Sequence, residues 1–258
     1  MCKLTQQSVV RALCKTPKRI ILMRHGESTA NKDSTVYTHT PDWNIPLTDK
    51  GLREANAAGT NLRALLNGEP AIVQFSPYRR ARETALAAMA QLDPTQILFD
   101  GEEVRLREQD VGNFQDREDQ EQHWAERDRF GRFFYRFPNG ESGADVCDRV
   151  LSFIDSMMRS FRLHSENPDI NAIICSHGLT IRLFIMRWFH IASTDLERLK
   201  NPPNASLLVL ERKSYSHCGK IARYELTEES KKLIGVTEDM LKNHKRRLPG
   251  KRNDITIV

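Results

Sequence analysis

The apolar residues of this chain fall into two spacings that alternate along it. Short apolar runs occur at 19–23, 71–75, 96–99, 171–175, 206–211 and 220–226, each the length of a buried strand. Between most of them lie longer stretches that read as helices, at 49–66, 79–91, roughly 117–128, 143–164 and 178–190, and in 49–66 and 143–164 apolar residues return every three or four positions. That is the period of a helix with one buried face. Thr48 stands where an N-cap of the first helix belongs, and Pro94 lies just beyond the end of the second. Strands and helices in alternation predict an α/β fold whose mainly parallel sheet is covered on both faces. The last two strands are close in sequence, which predicts an antiparallel hairpin at the sheet edge. With no internal repeat and no low-complexity linker, the pattern predicts one domain over 19–228. It is flanked by a basic segment at 1–18 and a basic tail at 229–258.

The stretch 112–141 departs from this rhythm. It is dense in charge and then turns aromatic at Phe130-Gly131-Arg132-Phe133-Phe134-Tyr135-Arg136-Phe137. So many rings left in solvent would make an adhesive patch, so they are expected to anchor an insertion packed over the edge of the sheet. Arg129, Arg132 and Arg136 have two readings: they reach over a binding cleft, or they snorkel from a surface helix.

Composition narrows the class. The 258 residues are 39% hydrophobic and 28% charged, enough for one sizeable core. No apolar run approaches the roughly 20 residues that a membrane helix needs. The net charge of +5 is concentrated at the ends: Lys3, Arg11, Lys15, Lys18 and Arg19 at one, and Lys242 to Arg252 at the other. Basic ends can bind nucleic acid, but nothing in the middle of the chain resembles a reading module, so nucleic acid is not an expected partner. The first 18 residues read as a solvated lead-in, with an organelle transit peptide as the alternative. Five cysteines without paired spacing point to a reducing compartment, and the expected location is cytoplasmic.

The chemistry lies where the strands end. After the first strand comes Arg24-His25-Gly26-Glu27-Ser28, leading to Asn31. Parallel strands finish on one edge of the sheet, where open α/β folds bind ligands. An arginine there offers a fork of donors to a phosphate, and a neutral imidazole beside it can attack phosphorus. The second strand leads into Ser76-Pro77-Tyr78-Arg79-Arg80-Ala81-Arg82-Glu83-Thr84, a helix start rich in arginine, and one of these arginines turned inward would complete an anion cradle. The fourth leads into Ser176-His177-Gly178, a second histidine-glycine pair at an equivalent turn. Leu106-Arg107-Glu108-Gln109-Asp110 follows the third strand and offers two carboxyls, Glu108 and Asp110, as a proton donor to a leaving oxygen. Together these describe phosphoryl transfer through a phosphohistidine on His25, with Arg24, Arg80 and His177 on the phosphate oxygens. Signatures of other phosphatase chemistries are missing: no cysteine has an arginine six places on, and there is no Asp-x-Asp, phosphate-loop lysine or His-Glu-x-x-His zinc pattern.

In these ordered stretches the chain resembles the histidine phosphatase superfamily, in its phosphoglycerate-mutase-like branch, over most of residues 19–211. The resemblance implies a three-layer α/β/α, Rossmann-like fold and hydrolysis without cofactor or metal. It implies His25 as the phosphorylated nucleophile, His177 as the second histidine, and Arg24, Asn31 and Arg80 as phosphate ligands. It selects Glu108 over Asp110 as donor, because Leu106-Arg107-Glu108 followed by Gly112-Asn113-Phe114 resembles the donor segment. Asn139-Gly140-Glu141-Ser142 with Asp145-Val146 and Arg149-Val150 resembles the start of the family's late helix. Phosphoglycerate mutases carry an Arg-His-Tyr-Gly stretch after the donor. Here Gln109-Asp110-Val111-Gly112-Asn113-Phe114 resembles the phosphatase members, so the expected reaction is hydrolysis of a small phosphorylated metabolite or a phosphoprotein. The alternatives are a mutase or a non-catalytic phosphate-binding protein.

Overall fold

Six strands form: β1 (Arg19–Arg24), β2 (Ala71–Phe75), β3 (Ile97–Glu102), β4 (Asn171–Ser176), β5 (Leu207–Lys213) and β6 (Arg223–Leu226). They belong to a computed structural model that describes residues 16–112, 117–164, 167–213 and 223–241. The strands join in the order β3-β2-β4-β1-β5-β6. The first four in that row run parallel; β5 is antiparallel to β1, and β6 to β5. The reversed strand therefore sits one place in from the edge, and the predicted hairpin with β6 completes the sheet beyond it.

Helices cover both faces: α1 (Thr29–Lys32), α2 (Asp49–Leu66), α3 (Arg79–Met89), α4 (Arg117–Phe130), α5 (Gly143–His164), α6 (Gly178–Trp188) and α7 (Glu228–Ile234). β1 shows why its sequence is apolar throughout. Ile20 and Leu22 pack with Val150 and Phe153 of α5 and Leu183 and Phe184 of α6. Ile21 and Met23 face the other way, onto Ala58 and Leu62 of α2 and Ala81 and Ala85 of α3. A strand whose side chains alternate between two buried layers has no polar face to show. The three-layer α/β/α arrangement follows.

Some boundaries move. α2 has its predicted limits, closed by the Thr48 side chain on Gly51 N–H and by Asn67 in the left-handed region. β3 runs on to Glu102, three residues past the apolar run, because its pairing with β2 continues to Phe75. The larger correction is at the C-terminal end. Residues from 229 were expected to be a basic tail, yet α7 forms there, and Ile234, Val236, Met240 and Leu241 are buried in the same core as α5 and α6. Ser230 Oγ also accepts the Val209 N–H of β5 at 2.8 Å. The folded body thus extends at least to Leu241. At the other end Arg212 donates to the Thr16 carbonyl at 2.7 Å, and the Tyr224 hydroxyl bonds the Pro17 carbonyl, so residues 16–18 belong to the body as well. Most of the two basic segments, 1–15 and 242–258, lies outside the described residues, as do Asn113 and Phe114.

The insertion is anchored by its rings, as predicted. Phe137 is wholly buried, with Trp124 and Tyr135 edge-on against it. Phe130 and Phe134 remain exposed. The insertion docks on the turn after α6 through Arg132, whose backbone N–H and guanidinium both reach Glu197, at 2.8 and 3.1 Å. Arg136 pairs with Asp145 at 2.7 Å, and Arg129 lies over the Phe130 ring. These contacts favour the surface reading of the three arginines over the cleft reading. Where the insertion closes, Glu141 N–H donates to the Asp110 carbonyl at 2.7 Å, which brings its end beside the Glu108 loop. Among the described residues no helix is long and apolar enough to cross a membrane.

Candidate active site

Strand register builds the site. Arg24 at the end of β1 pairs with Ser176 at the end of β4, and Phe75 at the end of β2 pairs with Cys175. The next residues along each strand are His25, His177 and Ser76. The ladder carries one step further, with His25 N–H on the Ser176 carbonyl and Ser76 N–H on the Cys175 carbonyl, each at 3.0 Å. Two histidines far apart in sequence therefore meet, with ring centroids 5.2 Å apart. The turn after His25 is possible because Gly26 and Gly51 touch backbone to backbone; a Cβ on Gly26 would run into the Gly51 carbonyl oxygen.

The two imidazoles are oriented differently. His25 Nδ1 lies 2.7 Å from the Gly26 carbonyl oxygen. A carbonyl only accepts, so Nδ1 carries the proton and Nε2 keeps its lone pair. Burial first, and then the nearby charges of Arg80 and Arg24, hold the His25 pKa well below the ordinary histidine value. The ring is neutral near pH 7 with a free nucleophilic nitrogen. His177 Nε2 meets Ser76 Oγ at 2.7 Å, while that oxygen accepts the Tyr78 N–H at 3.2 Å. In the tautomer where the Ser76 hydroxyl donates to His177 Nε2, the ring proton sits on Nδ1. That Nδ1 is buried and has no protein partner among the described residues. Burial and Arg80 lower the pKa of His177 too.

The arginines sort themselves by their partners. Arg79 pairs with Glu83 at 2.7 Å and Arg82 with Glu102 at 3.4 Å, both on the surface. Arg80 alone of the three turns inward; it is 3% exposed and lies 5.2 Å from the Tyr78 ring centroid. Its Nη1 donates to the backbone carbonyl and to Oδ1 of Asp42, both at 2.7 Å. Arg24 Nη1 donates to the Pro202 carbonyl at 2.7 Å, and its Nε is buried without a partner among the described residues. Burial lowers the Arg24 pKa against the pull of Glu108. Asn31 forms a capping box with Ser28, and its Oδ1 also accepts from Asn204, whose amide holds the His25 carbonyl at 3.0 Å.

Glu108 lies across the start of α6. Its carboxylate accepts Leu179 N–H at 3.2 Å, Thr180 N–H at 3.3 Å and Thr180 Oγ at 3.1 Å. These are amides that a helix start otherwise leaves unpaired, and His177 as N-cap makes no side-chain bond to them. Asp110, the other candidate, is exposed and accepts Gly112 N–H at 2.8 Å, which closes a local turn. Of the two carboxyls, Glu108 is the one tied to the start of α6 beside His177.

His25, His177, Arg24, Arg80 and Glu108 are thus brought to one edge of the sheet, with Asn31 at its margin. Reading the sequence missed their supports. Thr84 accepts Gly26 N–H at 3.0 Å and donates to the Arg80 carbonyl at 2.7 Å, tying the histidine turn to α3. Ser76 orients His177, and Asp42 holds Arg80. Tyr37 and Tyr78 stand near Asp42 and Arg80, with burial pushing each hydroxyl up to about 12. Ser76 and Thr84 had a signal, since each lies in a stretch already singled out. Asp42 and Tyr37 had none, because they sit on short 3-10 turns at 34–38 and 42–44 without periodicity. No group of three or more His, Cys, Asp or Glu able to hold a metal ion occurs among the described residues.

A family model described as the histidine phosphatase superfamily (branch 1) matches residues 20–224. The phosphoglycerate mutase-like protein AT74 of Arabidopsis thaliana is 43% identical over 243 residues, covering 89% of this chain and 75% of that protein. The broad-range acid phosphatase DET1 of Saccharomyces cerevisiae is 28% identical, covering 76% and 85%. In fold, the chain is similar to a mycobacterial glucosyl-3-phosphoglycerate phosphatase, with a TM-score of 0.61 at 21% identity, over 81% of this chain and 97% of that one.

Proposed function

This chain belongs to the histidine phosphatase superfamily, in its branch 1, and on that footing we propose that it hydrolyses phosphomonoesters through a phosphohistidine on His25. The observation that carries this reading is the bond from His25 Nδ1 to the Gly26 carbonyl, which frees Nε2 near the charges of Arg24 and the buried Arg80. Nε2 attacks phosphorus in line, and the bond from phosphorus to the leaving oxygen breaks. Arg24, Arg80 and the Nδ1–H of His177 hold the phosphoryl oxygens as charge gathers on them. Glu108, held at the start of α6, gives its proton to the departing alcohol. Water then attacks the phosphohistidine and yields its proton to Glu108, and inorganic phosphate leaves with both side chains restored. No step needs a metal, because the arginines supply the positive charge.

The substrate is a small phosphorylated metabolite. Hydrolysis is favoured over isomerisation by the segment after Glu108, which lacks the mutase stretch, and by the acid phosphatase among the relatives. The test combines phosphate release from a panel of phosphorylated metabolites with trapping of the phosphoenzyme. An acid-labile, alkali-stable phosphate on His25, with release unaffected by EDTA, is the expected result. Isomerisation of 3-phosphoglycerate without release would replace this reading by a mutase, and a loss in EDTA restored by metal would replace its chemistry.

A further inference from the structure

Arg149 stands on α5, outside the side chains that surround His25 and His177, with its side chain 10% exposed. Its Nη1 donates to the carbonyl oxygens of Arg105 and Arg107, at 2.6 and 2.8 Å, and its Nη2 to that of Glu108 at 3.0 Å. Nε and Nη2 also reach the Glu141 carboxylate, at 3.0 and 2.9 Å. One planar guanidinium thus grips three carbonyls within a four-residue stretch while the half-buried Glu141 carboxylate balances its charge.

Glu141 extends the grip to the far side of Glu108. It accepts Arg107 Nη2 at 2.6 Å and Asp110 N–H at 3.1 Å, and its own carbonyl accepts Gln109 Nε2 at 2.8 Å. The Leu106 carbonyl is taken by Ser176 Oγ at 2.7 Å. The segment Arg107–Gly112 has no helical or strand ladder of its own, so these bonds define where its backbone runs. The Glu108 carboxylate is then held from its other end by α6.

We propose that Arg149 is a positioning residue for proton transfer, setting the Glu108 carboxyl at the leaving oxygen through the backbone without touching substrate. The inference rests on the assignment of Glu108 as proton donor. A donor displaced by about 1 Å loses on the order of 10²-fold in rate, and the loss is selective. An alkoxide cannot depart without a proton, whereas nitrophenolate can. A purely structural role for Arg149 would weaken both substrates alike.

The experiment compares kcat/KM for glycerol phosphate and p-nitrophenyl phosphate in the wild type, Glu108→Gln, Arg149→Met and Arg149→Lys. This constant covers the steps up to departure of the leaving group, and thermal melting checks each fold. Glu108→Gln and Arg149→Met should both depress the ratio of alkyl to aryl hydrolysis, Arg149→Met by about tenfold or more. Arg149→Lys keeps the charge opposite Glu141 but loses the three-carbonyl grip, so it is the folded alternative should Arg149→Met collapse, and its ratio should fall too. An unchanged ratio in the folded Arg149 variants, beside a depressed one in Glu108→Gln, overturns the inference alone. An unchanged ratio in Glu108→Gln overturns the donor assignment, and the inference with it.

Discussion

Asp42 meets Arg80 twice: Nη1 of the arginine lies 2.7 Å from both the carboxylate Oδ1 and the backbone carbonyl of the aspartate. A negative charge therefore sits on the arginine proposed to receive a phosphate. Burial raises the Asp42 pKa against the pull of Arg80, so the carboxylate is already a costly charge before any anion arrives. Asp42→Asn keeps the backbone carbonyl contact and removes the repulsion. It should tighten inhibition by inorganic phosphate by about tenfold, the scale of one nearby like charge. Weaker inhibition would mean that the carboxylate serves chiefly to hold Arg80 in place.

His25→Ala should reduce phosphate release at least a thousandfold, on the order expected for loss of a nucleophile. Circular dichroism and the melting temperature should change little, since the ring makes one hydrogen bond, to its neighbour's carbonyl. Residual turnover above a few per cent of wild type would rule out His25 as the phosphorylated group.

The two histidines also predict how stability responds to acid. Both have folded-state pKa values below the unfolded value near 6.5, chiefly through burial. Their contribution is complete above that pH. It is lost as pH falls below it, because the unfolded chain then binds protons that the folded one refuses. Each costs about 1.4 kcal/mol per pH unit in that window. Urea unfolding at pH 7, 6 and 5 should show stability falling with acid, and His25→Asn should flatten the slope. Parallel slopes would contradict a depressed pKa at His25.

Gly26→Ala tests the close approach of the two turns. The added carbon would meet the Gly51 carbonyl oxygen, which is backbone and cannot rotate away. Destabilisation of about 1–3 kcal/mol is expected from overpacking, together with loss of activity as His25 shifts. A melting temperature equal to wild type would show that the turn relaxes freely.

Legibility in the sequence followed the physics of each element. β2 and α2 could be bounded closely because an apolar run and a Thr48 cap mark their ends. That His25 and His177 would meet was legible because both follow parallel strands, and parallel strands end on one edge. α7 was hidden: its buried Ile234 and Ser230 lie among Glu228, Glu229, Lys231 and Lys232, and a short charged helix reads as tail until the core it caps is known. Arg80 could not be told from Arg79 and Arg82 by residue type alone. What separates them is the direction of each side chain on α3, which depends on where the helix begins. Asp42 shows the same limit more strongly, since a carboxylate on a phosphate arginine runs against charge complementarity and only the packed loop reveals it.

The position of β1 has a consequence for the order in which the protein is made. It is the first strand in the chain, yet both its neighbours in the sheet, β4 and β5, come from beyond residue 170. Contacts of such long sequence separation form slowly and late. A nascent chain that has emerged only as far as α5 carries His25, Arg80 and Glu108 but lacks the strand that aligns β1 with β2. Hydrolytic competence should then arrive abruptly, when β4 slides between β1 and β2, and not accumulate as synthesis proceeds.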